Sequence, residues 1–122
     1  MSVLSESKAY VKYWQKQLRL LDWKIKVVVR YDPEEFNGFA CMKHNLNFQM
    51  NTLEVLDPSL IKEEWAGCRD LEVTIVHELL HTRFIHAIKR KKESDPHEEM
   101  AIEVVAQALV AARRGIDIKE LI

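Results

Sequence analysis

Five consecutive residues, His77-Glu78-Leu79-Leu80-His81, have the types and the spacing to hold and use a metal ion. On an α-helix, positions four apart share a face, so both imidazoles can address one ion. Glu78 lies about 100° further round, where its carboxylate reaches a water on that ion rather than the ion itself. Two neutral imidazoles as ligands with a carboxylate as general base is the arrangement of zinc-assisted hydrolysis. At average residue usage, this pattern arises by chance in on the order of one in a few hundred chains of such length. The flanks sharpen it, because Glu78 is the only acidic residue between Thr74 and Thr82 and no Lys or Arg falls there. An apolar helix holding two His and a Glu with nothing to bind would lose free energy on burying them.

A catalytic zinc has three protein ligands and a water, so a third ligand is required. Asp95-Pro96-His97-Glu98 reads as the start of a second helix: cap, proline at the first turn, and a Glu able to reach back to the cap. Gly115 is the expected stop. Between them Ile102, Val105, Ala106, Leu109 and Val110 form an apolar arc, with Glu99 inside it and Glu103 at its edge. Two carboxylates on a buried face need a partner. Glu99 as metal ligand and Glu103 as acceptor of a hydrogen bond from a ligand His would supply one. Glu103 as the ligand, His97 as the ligand, and Glu99 as a solvated first-turn residue favoured by the helix dipole remain open.

His77-Glu78-x-x-His81 followed by Glu99-x-x-x-Glu103 on a second helix resembles the gluzincin branch of zinc metallopeptidases. The short chain and its Trp-bearing first half are most similar to the minimal single-domain members, the minigluzincins. Small phage or prophage HExxH proteins and the peptidase module of ImmA/IrrE-type regulators are also similar. The likeness spans about 23–115, though only the helical third is motif-specific. It implies that a glutamate helix supplies the third ligand, here Glu99, and that an acidic residue four positions on, Glu103, orients a ligand His. Arg83 departs from the pattern, which has an apolar residue there.

The elements that must position these residues can be read from periodicity. Tyr10, Trp14, Leu18 and Leu21 make the apolar stripe of a helix over 3–21, with Lys8, Lys12, Lys16 and Arg19 opposite. Alternation over 23–29, 39–44 and 46–51 predicts three strands, separated by turns at Asp32-Pro33 and Asn37-Gly38. Asp57-Pro58 opens a short helix to Trp65. Apolar residues from Leu71 to Ile88 at helical spacing predict the metal-binding helix over 70–89, capped by Asp70. The expected fold is α+β and zincin-like: one helix, a small three-stranded sheet, a short helix, the metal helix and the glutamate helix. By the resemblance, the strand before the metal helix, Leu46–Asn51, is an edge to which a substrate peptide adds as an extra strand.

At 122 residues the chain is one domain with a single core. A net charge of −1 argues against nucleic acid as a partner, and the basic run 89–92 reads as a solvated helix end. There is no membrane-spanning stretch, and the first ten residues are no signal peptide. Cys41 and Cys68 are too few and too far apart for a disulfide framework, which fits a cytoplasmic protein with reduced thiols.

The expected function is a zinc-dependent metallopeptidase, with Zn²⁺ held by His77, His81 and Glu99 and with Glu78 as general base. Its partner is a peptide or protein substrate. His44, His86 and His97 are candidates for the donor that stabilises the oxyanion. The alternative is a non-enzymatic zinc-binding regulatory or interaction module on the same fold. A di-iron site built on Glu78-x-x-His81 is excluded, because no second ExxH exists.

Overall fold

The structure is a computed structural model that describes residues 2–32, 38–62, 65, 68–85 and 95–121. Helix α1 spans Val3–Gln17, and the Ser2 hydroxyl caps it by accepting the Ser5 N–H. It ends four residues sooner than its apolar stripe predicts. Arg19 adopts the left-handed conformation (φ 57°), and the Leu20 N–H closes back onto the Gln15 carbonyl at 2.7 Å. The reversal turns Leu20 into the core and leaves Leu21 69% exposed, so Leu21 is no part of the stripe.

Three strands follow: β1 (Lys24–Arg30), β2 (Ala40–Asn45) and β3 (Met50–Leu56). The spatial order is β1-β3-β2, with β3 parallel to β1 and antiparallel to β2. The last strand in sequence is therefore the central one. This corrects the expected edge strand over Leu46–Asn51. Leu46 to Gln49 form the β2–β3 turn, with Gln49 at φ 49°, and β3 runs on from Met50 to Leu56. The alternation of Leu46, Phe48 and Met50 is real but buries nothing: these residues are 50%, 73% and 50% exposed. The actual strand reads as a near-continuous buried run, Leu53-Glu54-Val55-Leu56, as a strand with neighbours on both sides does.

One sheet face carries Ile25, Val27, Ala40, Met42, Leu53 and Val55 against the helices. On the other face Arg30 and Lys43 close on the Glu54 carboxylate at 2.8 and 3.0 Å, one cation from each flanking strand. After β3, Asp57 caps a single 3-10 turn, Pro58–Leu60. The chain is extended again at Ile61, and neither Lys62 nor Trp65 is helical, which corrects the helix expected to reach Trp65 for the described residues.

Helix α2 spans Leu71–Phe84, capped by Asp70, and α3 spans Pro96–Arg114, capped by Asp95 and stopped by left-handed Gly115. The predicted end of the metal helix over 86–89, His86, the basic run 89–92 and the Asp32-Pro33 and Asn37-Gly38 turns fall wholly or partly outside the described residues. Val73, Ile75, Val76, Leu79 and Leu80 of α2 are all buried, which makes α2 the centre of the core. Helix α1 packs on it through Val11 and Trp14, and α3 through Ile102, Ala106 and Val110. The apolar arc of α3 is narrower than predicted, because Val105 is exposed. A closing 3-10 turn, Ile118–Leu121, buries Leu121 beside Cys68. The architecture is α+β, and no helix among the described residues is long and apolar enough to cross a membrane.

Candidate metal centre

Helices α2 and α3 run antiparallel, and polar contacts mark both ends of the pair. At one end the first turn of α2 meets the last turn of α3. The buried Glu72 carboxylate accepts from Arg113 at 2.7 Å and from Arg114 at 3.0 and 3.1 Å. It also accepts the indole N–H of Trp14, at 2.8 Å, which brings α1 into the same joint. Arg114 forks onto Asp70 as well, and the Arg113 guanidinium lies 4.1 Å from the centre of the Tyr13 ring. Antiparallel packing then sets the second half of α2 beside the first turns of α3, which is where the chemistry-bearing residues lie.

There the imidazoles of His77 and His81 sit one turn apart on a single face, with ring centres 5.1 Å apart. Both Nε2 atoms meet the Glu99 carboxylate: His77 Nε2 is 2.8 Å from one oxygen and His81 Nε2 is 2.8 Å from the other. Each ring's second nitrogen faces a further carboxylate. His77 Nδ1 donates to Glu103 at 3.1 Å, and His81 Nδ1 lies 3.7 Å from Glu98. Gln107 in turn donates to Glu103, at 3.1 Å. Glu99 and Glu103 continue the buried Ile102-Ala106-Val110 strip of α3 toward its N-terminus, at the three- and four-residue spacing of a helix face.

Burial works against a charge on His77. The hydrogen bond to Glu103, the charge of Glu78 and the hydrogen bond to Glu99 outweigh it and push its pKa up to about 9. The field that holds a proton between these carboxylates is also one that holds a divalent cation. The His side chains are 17% and 13% exposed, so the cluster is reachable from solvent.

Ligand atoms of His77, Glu78 and His81 lie within 4.8 Å of one another. Distance alone would admit Glu78 as a third ligand, but it is Glu99 whose two oxygens lie 2.8 Å from the two Nε2 atoms. Tetrahedral zinc with bonds of about 2.0–2.1 Å needs ligand atoms about 3.3 Å apart. The 2.8 Å contacts would open by about half an ångström, a small movement for a Glu99 side chain that is 36% exposed. Two imidazoles and one carboxylate are a donor set that fits zinc.

The Glu78 charge is felt on the sheet as well as at the His pair. The Cys41 thiol on β2 is pushed up in pKa by burial first and then by Glu78 and Glu54. A thiol so raised is neither a ready nucleophile nor a thiolate ligand. Cys68 is buried, with its thiol donating to the Leu121 carbonyl at 2.9 Å, and burial raises it too. Of the candidate oxyanion donors, His44 binds the buried Thr82 hydroxyl through Nε2 at 3.0 Å, and Asn51 binds the same oxygen at 3.0 Å. His97 is exposed in the first turn of α3 and is not among the residues gathered round the His pair.

Sequence reasoning missed Glu98 at His81 and the Glu72 joint. Glu98 reads as a helix-capping residue. The signals for Glu72 were a carboxylate set between Leu71 and Val73 in an apolar helix, and α3 carrying its only two cations at its last two positions. Comparison with protein-family models, with curated proteins and with solved structures finds no match for the chain.

Proposed function

We propose that this chain is a zinc-dependent peptidase of the gluzincin type, with a zincin-like arrangement of sheet and helix pair. The observation that carries the reading is the meeting of both Nε2 atoms on one Glu99 carboxylate, with the Glu78 carboxylate close by. His77, His81 and Glu99 would hold Zn²⁺. Bound there, zinc would supply Lewis-acid polarisation of a peptide carbonyl and a lowered pKa for water. Glu103 keeps the proton on His77 Nδ1, so that Nε2 presents its lone pair to the site. Glu78 takes the proton of the attacking water and returns it to the leaving amine.

A substrate peptide would pair along the outer edge of β2, not along Leu46–Asn51. Phe39 bonds to β3 through its carbonyl, so Ala40, Met42 and His44 turn their own N–H and C=O groups outward. That edge lies beside α2, and Cys41 within it feels the Glu78 charge. Free thiols at Cys41 and Cys68 suit a reducing compartment such as the cytoplasm.

The test combines metal analysis by mass spectrometry with digestion of casein and a peptide library, with and without a chelator. Near-stoichiometric zinc and chelator-sensitive cleavage, lost in Glu78→Gln with zinc retained, are expected. Zinc without cleavage in the parent would replace the peptidase with a non-enzymatic zinc-binding module. No metal after zinc is added back would remove both readings.

A further inference from the structure

The sheet has a second edge, on the side away from α2, and it is built differently. In β1, Lys24 donates its N–H to Gln49 and Arg30 accepts from Asp57, so the even-numbered residues bond to β3. By the two-residue period of a strand, Ile25, Val27 and Val29 turn their N–H and C=O groups to the outer edge, where no strand pairs with them among the described residues. Along this edge lies a groove of about 370 Å³ between β1 and α1. It is lined by Lys8, Val11, Lys12 and Gln15 of α1 and by Ile25, Lys26 and Val27 of β1. Ile25, Lys26 and Val27 are consecutive residues of β1, the strand that forms this edge of the sheet, so the groove follows the edge strand.

We propose that this groove docks an extended acidic peptide segment, which adds to β1 as a fourth strand. The backbone supplies main-chain pairing through Ile25 and Val27, and the lysines select the side chains. Three cations and no carboxylate line the groove, in a chain whose net charge is −1. None of the three lysines forms an ion pair among the described residues, whereas Arg30 and Lys43 on the same sheet share Glu54. Lys8 and Lys12 flank the face of the added strand that looks to α1, and Lys26 flanks the other face. Acidic residues at consecutive positions of the peptide would therefore all find a cation, whereas strictly alternating ones would meet cations on one face only. This surface lies two inter-strand spacings, about 10 Å, from β2. It is separate from the metal centre.

The test is fluorescence anisotropy on the full chain with a labelled octapeptide that has three consecutive Glu between β-branched residues. Mass spectrometry confirms that the peptide stays intact. Saturable binding is expected, weakened at least tenfold by Lys8→Glu, Lys12→Glu and Lys26→Glu together. A similar loss is expected when alternate backbone nitrogens of the peptide are methylated, a change that needs no variant of the protein. Hydrogen exchange should slow at Ile25 and Val27 and not at Ala40, Met42 and His44. Equal binding by the triple variant, or equal binding of the methylated peptide, overturns the proposal. So does protection at β2 in place of β1, or a single-stranded DNA octamer binding more tightly than the peptide.

Discussion

The indole N–H of Trp14 donates to Glu72 at 2.8 Å across 58 residues of sequence, and on that carboxylate three helices meet. It is buried without being isolated: Trp14, Arg113 and Arg114 occupy its oxygens. Removing the carboxylate leaves the buried Trp14 indole and two arginines, 37% and 31% exposed, without their acceptor, and a lost hydrogen bond to a charged group costs about 1.5–3 kcal/mol. Glu72→Ala should lower unfolding stability by that order in urea, while Trp14→Phe should cost about 1–3 kcal/mol by leaving one acceptor lobe unfilled. A loss below about 1 kcal/mol for Glu72→Ala would show that the joint does not hold the helices.

The two carboxylates at the His pair have separable effects on metal affinity. Glu99→Ala removes a ligand and should abolish stoichiometric zinc. Glu103→Ala leaves the ligands and loosens His77, and an outer partner of this kind is typically worth 10–100-fold in affinity. Titration with a competing chelator would measure both. A larger loss for Glu103→Ala than for Glu99→Ala would exchange their roles.

Zinc should also stabilise the fold by mass action. At a free concentration one hundred times the dissociation constant, the gain is about 2.7 kcal/mol. It should appear as a rise in Tm that a chelator reverses and that His77→Ala with His81→Ala removes. An equal rise in the double variant would locate the metal elsewhere.

Acid stability depends on Glu54. The hydrogen bond from Arg30 holds its carboxyl below the usual carboxylate range, against burial and with help from Lys43. A carboxyl lowered in the folded state binds fewer protons than in the unfolded chain, so its contribution is present above the unfolded value near 4.5. It is lost as pH falls through the folded value. Glu54→Gln should lower stability at pH 7 and flatten its decline below pH 5, as followed by urea unfolding at several pH values. An unchanged pH slope would mean that the carboxylate has no such role.

What could be read from sequence was what is decided locally. The caps at Asp70 and Asp95, the stop at Gly115 and the His77–His81 spacing depend on a few neighbouring residues, and each stands as read. The central strand was misread because its signal comes from partners: Leu53 to Leu56 are buried, with β1 and β2 on either side, while 46–50 alternate in the open. Arg19 carries no mark of a left-handed helix end, which Gly or Asn would have given. At the candidate site, the spacing of Glu99 and Glu103 indicated the face they share. Glu98 at His81 follows only from the angle at which α3 crosses α2, which no local pattern encodes.

The middle position of β3 has a consequence for the order of folding. Strands β2 and β3 are joined by a four-residue turn and can zip together as a hairpin on the microsecond scale. Strand β1 does not pair with β2, the next strand in sequence, and Lys24 must find Met50 across a loop of 25 residues. Closing that loop costs entropy before any contact repays it. The hairpin therefore forms as a template to which β1, carrying α1 on its flank, is added late. The amino-terminal quarter of the chain should then have low φ-values, and substitutions in it should speed unfolding more than they slow folding.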